Sequence, residues 1–429
     1  MRRHDKLLIV YGISVLLGVL TGLVGSVFQI MIHKTNKGME WLFAFGQQYD
    51  IPVMLSAAIL SMVMVLIAWL MVHYIAPEAS GSGVQEIEGA LMHERPIFWR
   101  RLLPVKFVAG VLAISSKLVM GREGPTIQMG GNLGDMLGEM THLQTERRNT
   151  LIAAGASAGL AVAFNAPLAG VLFVIEEMRT SFNFSFTNFT IASICCVMAT
   201  IIYRMILGSG AVIVMDIFSQ PSLSSLGLFF IFGIVVGFVG WFFNVMLMKS
   251  LNWTDKFTYN LRILFVLFIG ALVGVLYVFH PAFVGGGYII IEQTLKYSPA
   301  LSVLTVLFIV RFIMTMLCYS TAVPGGIFAP MLALGTILGL MASYFTGVFL
   351  DDATIHPGMF AVAGMGALFA AAVRAPVTGI ILVVEMTQNY LLILPLMVTC
   401  LTATMVVHLA GNPPIYSQLL SRTLKRSRM

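Results

Sequence analysis

Long apolar segments, separated by short polar ones, dominate the sequence. Long runs without Asp, Glu, Lys or Arg include Leu7–Ile32, Ile51–Pro77, Ile263–Ile291, Phe312–Leu350 and Met386–Ser421. A helix needs roughly 20 apolar residues to span a bilayer, and some of these runs are long enough for two spans. The pattern therefore predicts an all-α polytopic membrane protein.

Shorter apolar segments, one of them within these runs and the others between them, predict individual helices. They are Leu102–Met120, Leu151–Ile175, Asn188–Leu207, Leu226–Met248 and Arg262–Phe279. A polar stretch around Lys34–Lys37 predicts a loop after the first span. The chain also contains 40 glycines and 16 prolines. Their spread through the apolar segments favours short, tilted and broken helices over plain spanning rods.

Composition and charge support a membrane protein. The chain is 58% hydrophobic and 10% charged, whereas soluble domains are roughly 25% charged. The net charge of +6 does not indicate nucleic-acid binding, because basic residues cluster at segment ends. By the positive-inside rule, both termini are expected to be cytoplasmic. Only 13 residues follow Tyr416, so we expect no regulatory domain, and we expect a bacterial cytoplasmic (inner) membrane.

One charged stretch interrupts the apolar sequence at Gly121-Arg122-Glu123-Gly124-Pro125. Charges at bilayer depth cost several kcal/mol and mark ion or proton pathways. The glycines and the proline predict a broken backbone and a helix that starts at Pro125. Two interpretations follow from these residues alone. Either a carboxylate lies across a helix N-terminus that faces an anion, or Arg122 and Glu123 pair on a surface loop.

An internal repeat connects this stretch with the second half of the chain. Residues 154–176 read AGASAGLAVAFNAPLAGVLFVIE, and residues 363–385 read AGMGALFAAAVRAPVTGIILVVE. GREGPTIQMGGNLG at 121–134 likewise matches GIFAPMLALGTILG at 326–339. Paired halves with broken-helix starts are typical of transporters, where they are often inverted around a midplane site. We expect two repeats within one membrane domain, residues 1–210 and 211–429.

Three glycine-containing helix starts stand out, at Ser80–Gln85, Gly121–Pro125 and Gly325–Pro330. The N-terminus of a helix has unpaired N–H groups and a partial positive charge, so it binds an anion without a full cation. That suits a transported anion, which must bind but also leave. Ser82 and Gln85 have the spacing of a helix N-cap and its partner.

Four motifs resemble those of the CLC family of chloride channels and proton-coupled chloride exchangers. They are GSGVQEIEGAL (Gly81–Leu91), GREGP (Gly121–Pro125), GGIFAP (Gly325–Pro330) and NPPIYS (Asn412–Ser417). The resemblance implies two inverted repeats of tilted, broken helices and a homodimer with a separate anion pathway in each subunit. It also implies no cofactor and no metal, with chloride and protons as the transported ions.

The resemblance also assigns roles to individual residues. It implies that the hydroxyls of Ser82 and Tyr416, and the backbone N–H groups of Ile327 and Phe328, bind the central anion. It implies that Glu123 is the gating glutamate, which occupies an anion site when ionised and swings out when protonated. The residues implied to support this site are Gly121, Arg122, Gly124, Pro125, Gly325 and Gly326.

The repeat separates two neighbouring glutamates. Glu176 recurs as Glu385, which suggests a structural role, whereas Glu177 aligns with Met386, which suggests a function. The resemblance implies that Glu177 is the internal proton relay of an exchanger. From the residues alone, the favoured interpretation of Glu177 is a solvated residue at a helix end, beside Arg179.

Two alternatives to a proton-coupled chloride antiporter stay open. The first is a passive voltage- or pH-gated chloride channel, against which Glu123 and Glu177 argue. The second is an intramembrane enzyme with Ser82 as nucleophile, although no histidine has a clear partnering pattern. We therefore expect no enzymatic activity.

Two lysines are unexpected in apolar segments. We expect Lys106 to pair with Glu88. We expect Lys117 to extend towards the membrane interface, and the alternative is an outer vestibule that attracts anions.

Overall fold

The computed structural model describes residues 3–178, 185–215, 218, 221–297, 299–349 and 356–427. In these ranges the chain forms seventeen α-helices. The first eight are α1 (Arg3–Gln47), α2 (Val53–Tyr74), α3 (Val84–Leu91), α4 (Trp99–Ser115), α5 (Glu123–Met140), α6 (Thr145–Phe164), α7 (Pro167–Glu177) and α8 (Phe186–Leu207). The others are α9 (Leu226–Thr254), α10 (Tyr259–Phe279), α11 (Tyr288–Tyr297), α12 (Leu301–Tyr319), α13 (Phe328–Phe349), α14 (Pro357–Val373), α15 (Pro376–Thr387), α16 (Ile393–Leu409) and α17 (Ile415–Ser427).

Eight helices within the described residues are long and apolar enough to cross a membrane. Helix α1 is the longest, with 45 residues, and at 1.5 Å per residue it is about 65 Å long. It is continuous through Lys34–Lys37, so the predicted loop there is wrong. No proline or glycine lies in that stretch, so nothing in the backbone ends the helix.

The repeated segments each fold as two helices rather than one. Helix α6 ends where Asn165 adopts a left-handed conformation, with φ of 52°, and α14 ends in the same way at Arg374, with φ of 64°. Pro167 and Pro376 then occupy the first positions of α7 and α15. The single helix predicted over Leu151–Ile175 is therefore wrong, because a proline cannot continue the hydrogen bonding of the preceding turn.

Glycine pairs bring the central helices of each repeat into backbone contact. A Cβ atom added to Gly130 of α5 would collide with the carbonyl of Gly155 in α6, and the reverse substitution would collide equally. Gly335 of α13 and Gly364 of α14 meet in the same way. Small residues at such crossings let membrane helices pack closely. Glycine pairs thus position both α5 and α13, whose starts form the candidate site.

Glu176, in the last turn of α7, joins its own repeat to the other one. Its carboxylate accepts hydrogen bonds from the backbone N–H groups of Val377 and Thr378, at 3.0 and 2.6 Å, and from the Thr378 hydroxyl at 2.7 Å. These N–H groups begin α15, so they have no acceptor within that helix. A carboxylate there is also favoured by the positive end of the helix dipole.

Glu385 of α15 makes the reciprocal contact. It accepts hydrogen bonds from the N–H groups of Leu168 at 3.2 Å and Ala169 at 2.9 Å, which begin α7. Each repeat thus caps a helix of the other. The structural role expected of the repeated glutamates agrees with this reciprocal pair, which we call the Glu176–Glu385 clasp.

Candidate functional site

Backbone hydrogen bonds bring the three motif loops together. Gly121 and Gly326 exchange two N–H···O bonds, both of 2.7 Å. Gly81 donates to the carbonyl of Val323 at 3.2 Å and accepts from the N–H of Gly325 at 3.1 Å. The starts of α3, α5 and α13 therefore meet at one place, as the sequence predicted for helix N-termini.

The details of two helix starts differ from the sequence prediction. Helix α5 begins at Glu123, so Pro125 is its third residue, where a backbone N–H group would have no partner within the helix. Helix α3 begins at Val84, after Gly83 in a left-handed conformation (φ 85°), and no side chain caps it. Gln85 is therefore not the capping partner of Ser82, because Ser82 lies before the cap position.

Two buried hydroxyl groups face each other beside these helix starts. The side chains of Ser82 and Tyr416 are both fully buried and lie near each other, and neither hydroxyl makes a hydrogen bond of normal length and angle in the described part of the chain. The backbone N–H of Ser82 donates to the Tyr319 hydroxyl at 3.2 Å. A buried unpaired hydroxyl costs about 1–3 kcal/mol, so two of them together indicate a place where a polar ligand binds.

The start of α13 completes this place. Ile327 and Phe328 are fully buried, and their N–H groups lie at the helix end, where no acceptor exists within the helix. The ring of Phe328 stacks on the ring of Tyr416, with centroids 5.8 Å apart. Phe328 also contacts the ring of Phe369 at 4.9 Å. The hydroxyls and the N–H donors are thus held by a rigid aromatic group.

Glu123 lies fully buried at the start of α5. Its Oε1 atom accepts a hydrogen bond of 2.5 Å from the Tyr288 hydroxyl. Its carboxylate also lies close to the N–H of Ala329, in the first turn of α13. A Cβ atom at Gly121 would collide with Oε2 of Glu123, so glycine leaves room for the carboxylate in this position. The carboxylate therefore lies across two helix starts, and the surface ion-pair interpretation is wrong.

Arg122 makes its contacts with Tyr288 and Ala163. Its guanidinium lies over the ring of Tyr288, 5.1 Å from the centroid, and donates to the carbonyl of Ala163 at 3.3 Å. This position agrees with a supporting role and places no full positive charge on the anion site.

Glu177 is the last residue of α7 and is 8% exposed. It lies near enough to Tyr416 for the two groups to interact electrostatically. A solvated residue at a helix end would be exposed, so that alternative is wrong. Arg179, its expected neighbour, lies outside the described residues.

Lys106 differs from its predicted role. Lys106 donates to the carbonyls of Ala79 and Gly81, at 2.9 and 2.8 Å, so it braces the Ser82 loop. Glu88 instead accepts from the Ser417 hydroxyl at 3.3 Å, so the predicted Lys106–Glu88 pair is wrong.

Lys117 contacts side chains of two neighbouring helices. Its ammonium donates to Asn36 at 2.8 Å and lies over the ring of Tyr277, 4.6 Å from the centroid. A cation over an aromatic ring is attracted by the electrons of the ring face. Lys117 therefore joins α1 and α10 to the segment before the GREGP motif.

A cavity of about 550 Å³ opens beside the Ser82 loop. Ser80, Gly81 and Tyr319 are among its lining residues. Its charged lining consists of Glu86, Asp255, Arg95, Arg262, Arg422 and Arg426. Arg95 pairs with Glu86, and Arg422 and Arg426 pair with Asp255, so this charged lining has an excess of positive charge, which favours anions.

Comparison with known proteins agrees with this geometry. Residues 64–408 match the family described as voltage gated chloride channel. This chain belongs to that family. It is 45% identical over 422 residues to the H(+)/Cl(-) exchange transporter ClcA of Vibrio cholerae serotype O1, covering 97% of this chain and 90% of the relative. It is 42% identical over 435 residues to the ClcA transporter of Yersinia pestis bv. Antiqua, covering 99% and 90%.

Solved structures of family members have the same fold. A slow cyanobacterial Cl-/H+ antiporter matches with a TM-score of 0.94 and 38% identity, over 98% of this chain and 99% of the other. A eukaryotic CLC transporter matches with a TM-score of 0.83 and 21% identity, over 98% and 74%. The all-α CLC-type fold expected from the sequence is confirmed.

Sequence reasoning missed two tyrosines of the site, Tyr288 and Tyr319. Tyr319 ends α12, and its hydroxyl fixes the Ser82 backbone. Tyr288 follows the glycine triplet Gly285–Gly287. That triplet was a usable signal for a loop that approaches another backbone closely. Nothing in the sequence showed that the loop reaches Glu123, 165 residues away.

Proposed function

We propose that this protein is a secondary active transporter that exchanges chloride for protons across a membrane. The observation that carries the proposal is the Glu123 carboxylate, buried across the starts of α5 and α13 beside two unpaired hydroxyls. A carboxylate and a chloride ion compete there for the same kind of donor. The exchange transporters and the antiporter that resemble this chain support the same proposal.

In this proposal chloride binds to donors that carry no full charge. The hydroxyls of Ser82 and Tyr416 and the N–H groups of Ile327 and Phe328 would hold it. The partial positive charge of the α13 start adds to their attraction. Because Arg122 and Lys106 donate to backbone carbonyls, neither would be a direct ligand of the ion, and the ion would be bound weakly enough to leave.

Glu123 would couple the two ions. As a carboxylate it occupies the helix starts and excludes chloride. When a proton neutralises it, the attraction to those N–H groups falls, the side chain leaves and chloride takes its place. When the carboxyl returns, it releases its proton and displaces chloride. Each replacement of the carboxylate by chloride therefore couples the uptake of a proton to the binding of an anion.

Glu177 would pass protons between Glu123 and the aqueous phase. Its burial makes it a titratable group inside the protein, and groups of this kind form proton relays in transporters. Its proximity to Tyr416 places it near the anion site. The arginine-lined cavity of 550 Å³ would serve as the separate entrance for chloride.

A flux measurement distinguishes exchange from a passive channel. Purified protein is placed in liposomes with a chloride gradient, and a pH electrode follows the external medium. An exchanger moves protons uphill as chloride runs down its gradient. Chloride flux that occurs without any proton movement would favour the passive channel instead.

Two variants test the role of Glu123 directly. We expect Glu123→Gln to keep chloride flux and to lose both proton movement and pH dependence, because glutamine cannot exchange a proton. Glu94→Gln is the matched control, since Glu94 is an exposed glutamate on a loop. If Glu123→Gln still moves protons against their gradient, Glu123 is not the coupling residue.

The organisation of the protein follows as part of the same proposal. We propose that residues 1–210 and 211–429 are two inverted repeats, supported by the Glu176–Glu385 clasp and the matching breaks at Asn165 and Arg374. We propose a homodimer with one anion pathway per subunit, in a bacterial inner membrane with cytoplasmic termini. Single-molecule photobleaching of labelled protein in sparse liposomes would show two steps for a dimer and one for a monomer.

A further inference from the structure

Tyr288 makes the shortest contact to the Glu123 carboxylate. Its hydroxyl donates to Oε1 at 2.5 Å, within the range of hydrogen bonds from a hydroxyl to an ionised oxygen. The Arg122 guanidinium lies over the same tyrosine ring, 5.1 Å from its centroid. The phenol is therefore fixed on one side by a cation and on the other by the carboxylate.

A buried arginine shapes the loop that delivers Tyr288. Arg311 of α12 is fully buried and donates to the carbonyls of Ala282, Val284 and Gly285, at distances of 2.8, 3.0 and 2.8 Å. These bonds satisfy carbonyls of a non-helical segment that would otherwise be buried without partners. A guanidinium is well suited to this, because it carries five donors in a planar fork.

The same loop is tied to the segment that precedes Glu123. The N–H of Gly285 donates to the carbonyl of Lys117 at 2.9 Å. Gly287 has a φ of 110°, a conformation open to glycine, and it turns the chain into α11 at Tyr288. The position of the phenol relative to Glu123 is thus set by backbone geometry on both sides, and not by a freely moving side chain.

We propose that Tyr288 is a positioning residue that holds the ionised Glu123 carboxylate in the place it shares with chloride. This inference rests on the proposed role of Glu123. A hydrogen bond from a phenol stabilises the carboxylate, which is charged, more than the neutral carboxyl. Tyr288 therefore opposes both the protonation of Glu123 and its displacement by chloride. It slows turnover and sets the pH range in which the protein works.

Tyr288→Phe leaves the other charged and titratable side chains around Tyr288 and Glu123 unaltered. The charged or titratable side chains close to Glu123 or Tyr288 are Arg122, Tyr203 and Tyr416. Tyr288→Phe removes one oxygen atom and keeps the ring over which Arg122 lies. The substitution therefore changes the hydrogen bond to Glu123 while leaving the packing of the loop in place.

The test measures chloride and proton flux in liposomes across a range of pH for four proteins: the unmodified protein, Tyr288→Phe, Glu123→Ala and the double variant. A charge-assisted hydrogen bond is worth about tenfold in an equilibrium. We expect Tyr288→Phe to raise turnover at neutral pH by about tenfold and to move half-maximal transport to higher pH. In the Glu123→Ala background we expect no effect of Tyr288→Phe. Tyr390→Phe, at an exposed tyrosine, is the matched control.

Chloride affinity, measured by calorimetry in detergent, gives a second readout that does not depend on reconstitution. We expect chloride to bind more tightly to Tyr288→Phe than to the unmodified protein, because its competitor is weakened. Unchanged turnover, pH profile and chloride affinity would overturn the proposal, as would equal effects with and without Glu123. Persistent proton coupling in Glu123→Ala would instead overturn the proposed function, and the two failures are therefore distinguishable.

Discussion

The starts of α5 and α13 have equivalent places in the two repeats but carry different side chains. Gly121 and Gly326 pair through their backbones, and Pro125 and Pro330 recur in the following turn. At the equivalent position between them, the first repeat has Glu123 and the second has Phe328. The duplicated residues build the helix starts. The residues that differ have different roles, because Glu123 supplies a charged group and Phe328 supplies a rigid aromatic side of the site.

The ends of α7 and α15 differ in the same way. Glu176 and Glu385 are repeated and cap each other's helices. Glu177 has Met386 as its counterpart. Residues that recur in both repeats therefore make contacts that hold the helices together. Residues that differ between the repeats, Glu123 and Glu177, are the ones proposed to bind or transfer ions. Substitutions at repeated residues and at residues that differ test this distinction.

The largest effect is expected from the glycine crossings, because they belong to the duplicated frame. Gly155→Ala and Gly364→Ala would each push a methyl group into a backbone carbonyl of the neighbouring helix. We expect a loss of about 3 kcal/mol in stability for each, which is the upper end of the usual cost of overpacking. Thermal unfolding in detergent measures it. Gly12→Ala is the control, since open space surrounds Gly12, and equal behaviour of all three variants would contradict the prediction.

The next effect concerns transport rather than stability. We expect Glu177→Gln to abolish proton movement while chloride binding stays unchanged, because glutamine cannot take up or release a proton. Paired flux and calorimetric measurements check it. Normal proton pumping by Glu177→Gln would show that Glu177 is not part of the proton relay. The difference between Glu177 and its counterpart Met386 would then be unrelated to proton transport.

A smaller effect is expected when the Glu176–Glu385 clasp is weakened. Glu176→Gln and Glu385→Gln each remove a charge from hydrogen bonds to helix N–H groups, which costs about 2 kcal/mol. Glu176→Gln should cost more, because the Thr378 hydroxyl also donates to Glu176. Chemical unfolding of both variants and of Glu94→Gln measures the difference. A pair that behaves like the exposed control would show that the clasp contributes nothing.

The smallest effect is expected at the far ends of α5 and α13. Glu139 accepts bonds of 2.8 Å from Trp99 and from Arg100, and these donors hold the pKa of this carboxyl below its ordinary value of 4.5. Its counterpart in the second repeat is the uncharged Tyr344.

A lowered pKa in the folded state means that the bonds of Glu139 stabilise the fold above the ordinary pKa and that this contribution is lost as the pH falls through the lowered one. We expect Glu139→Gln to lower the unfolding temperature slightly at pH 7 and to match the unmodified protein once the carboxyl is protonated. Melting curves from pH 7 downward check this, and a difference that persists in acid would contradict it.

Local patterns in the sequence predicted a large part of this protein. Apolar runs indicated the spans, because a bilayer imposes their length. The repeat indicated that Glu176 and Glu385 share a role and that Glu177 does not. The glycine and proline positions indicated three helix starts, and these starts do meet in the structure. All of these features depend on residues close together in the chain or on direct comparison between segments.

Only the tertiary structure determined which distant groups touch. Lys106 pairs with backbone carbonyls and not with Glu88, because its neighbours depend on how α4 lies beside the Ser82 loop. Tyr288 reaches Glu123 because Arg311 and a glycine turn fix its loop. A sequence records which groups could form hydrogen bonds. The packing of helices decides which of them come within 3 Å, and at this site that choice fixes how the carboxylate of Glu123 is held.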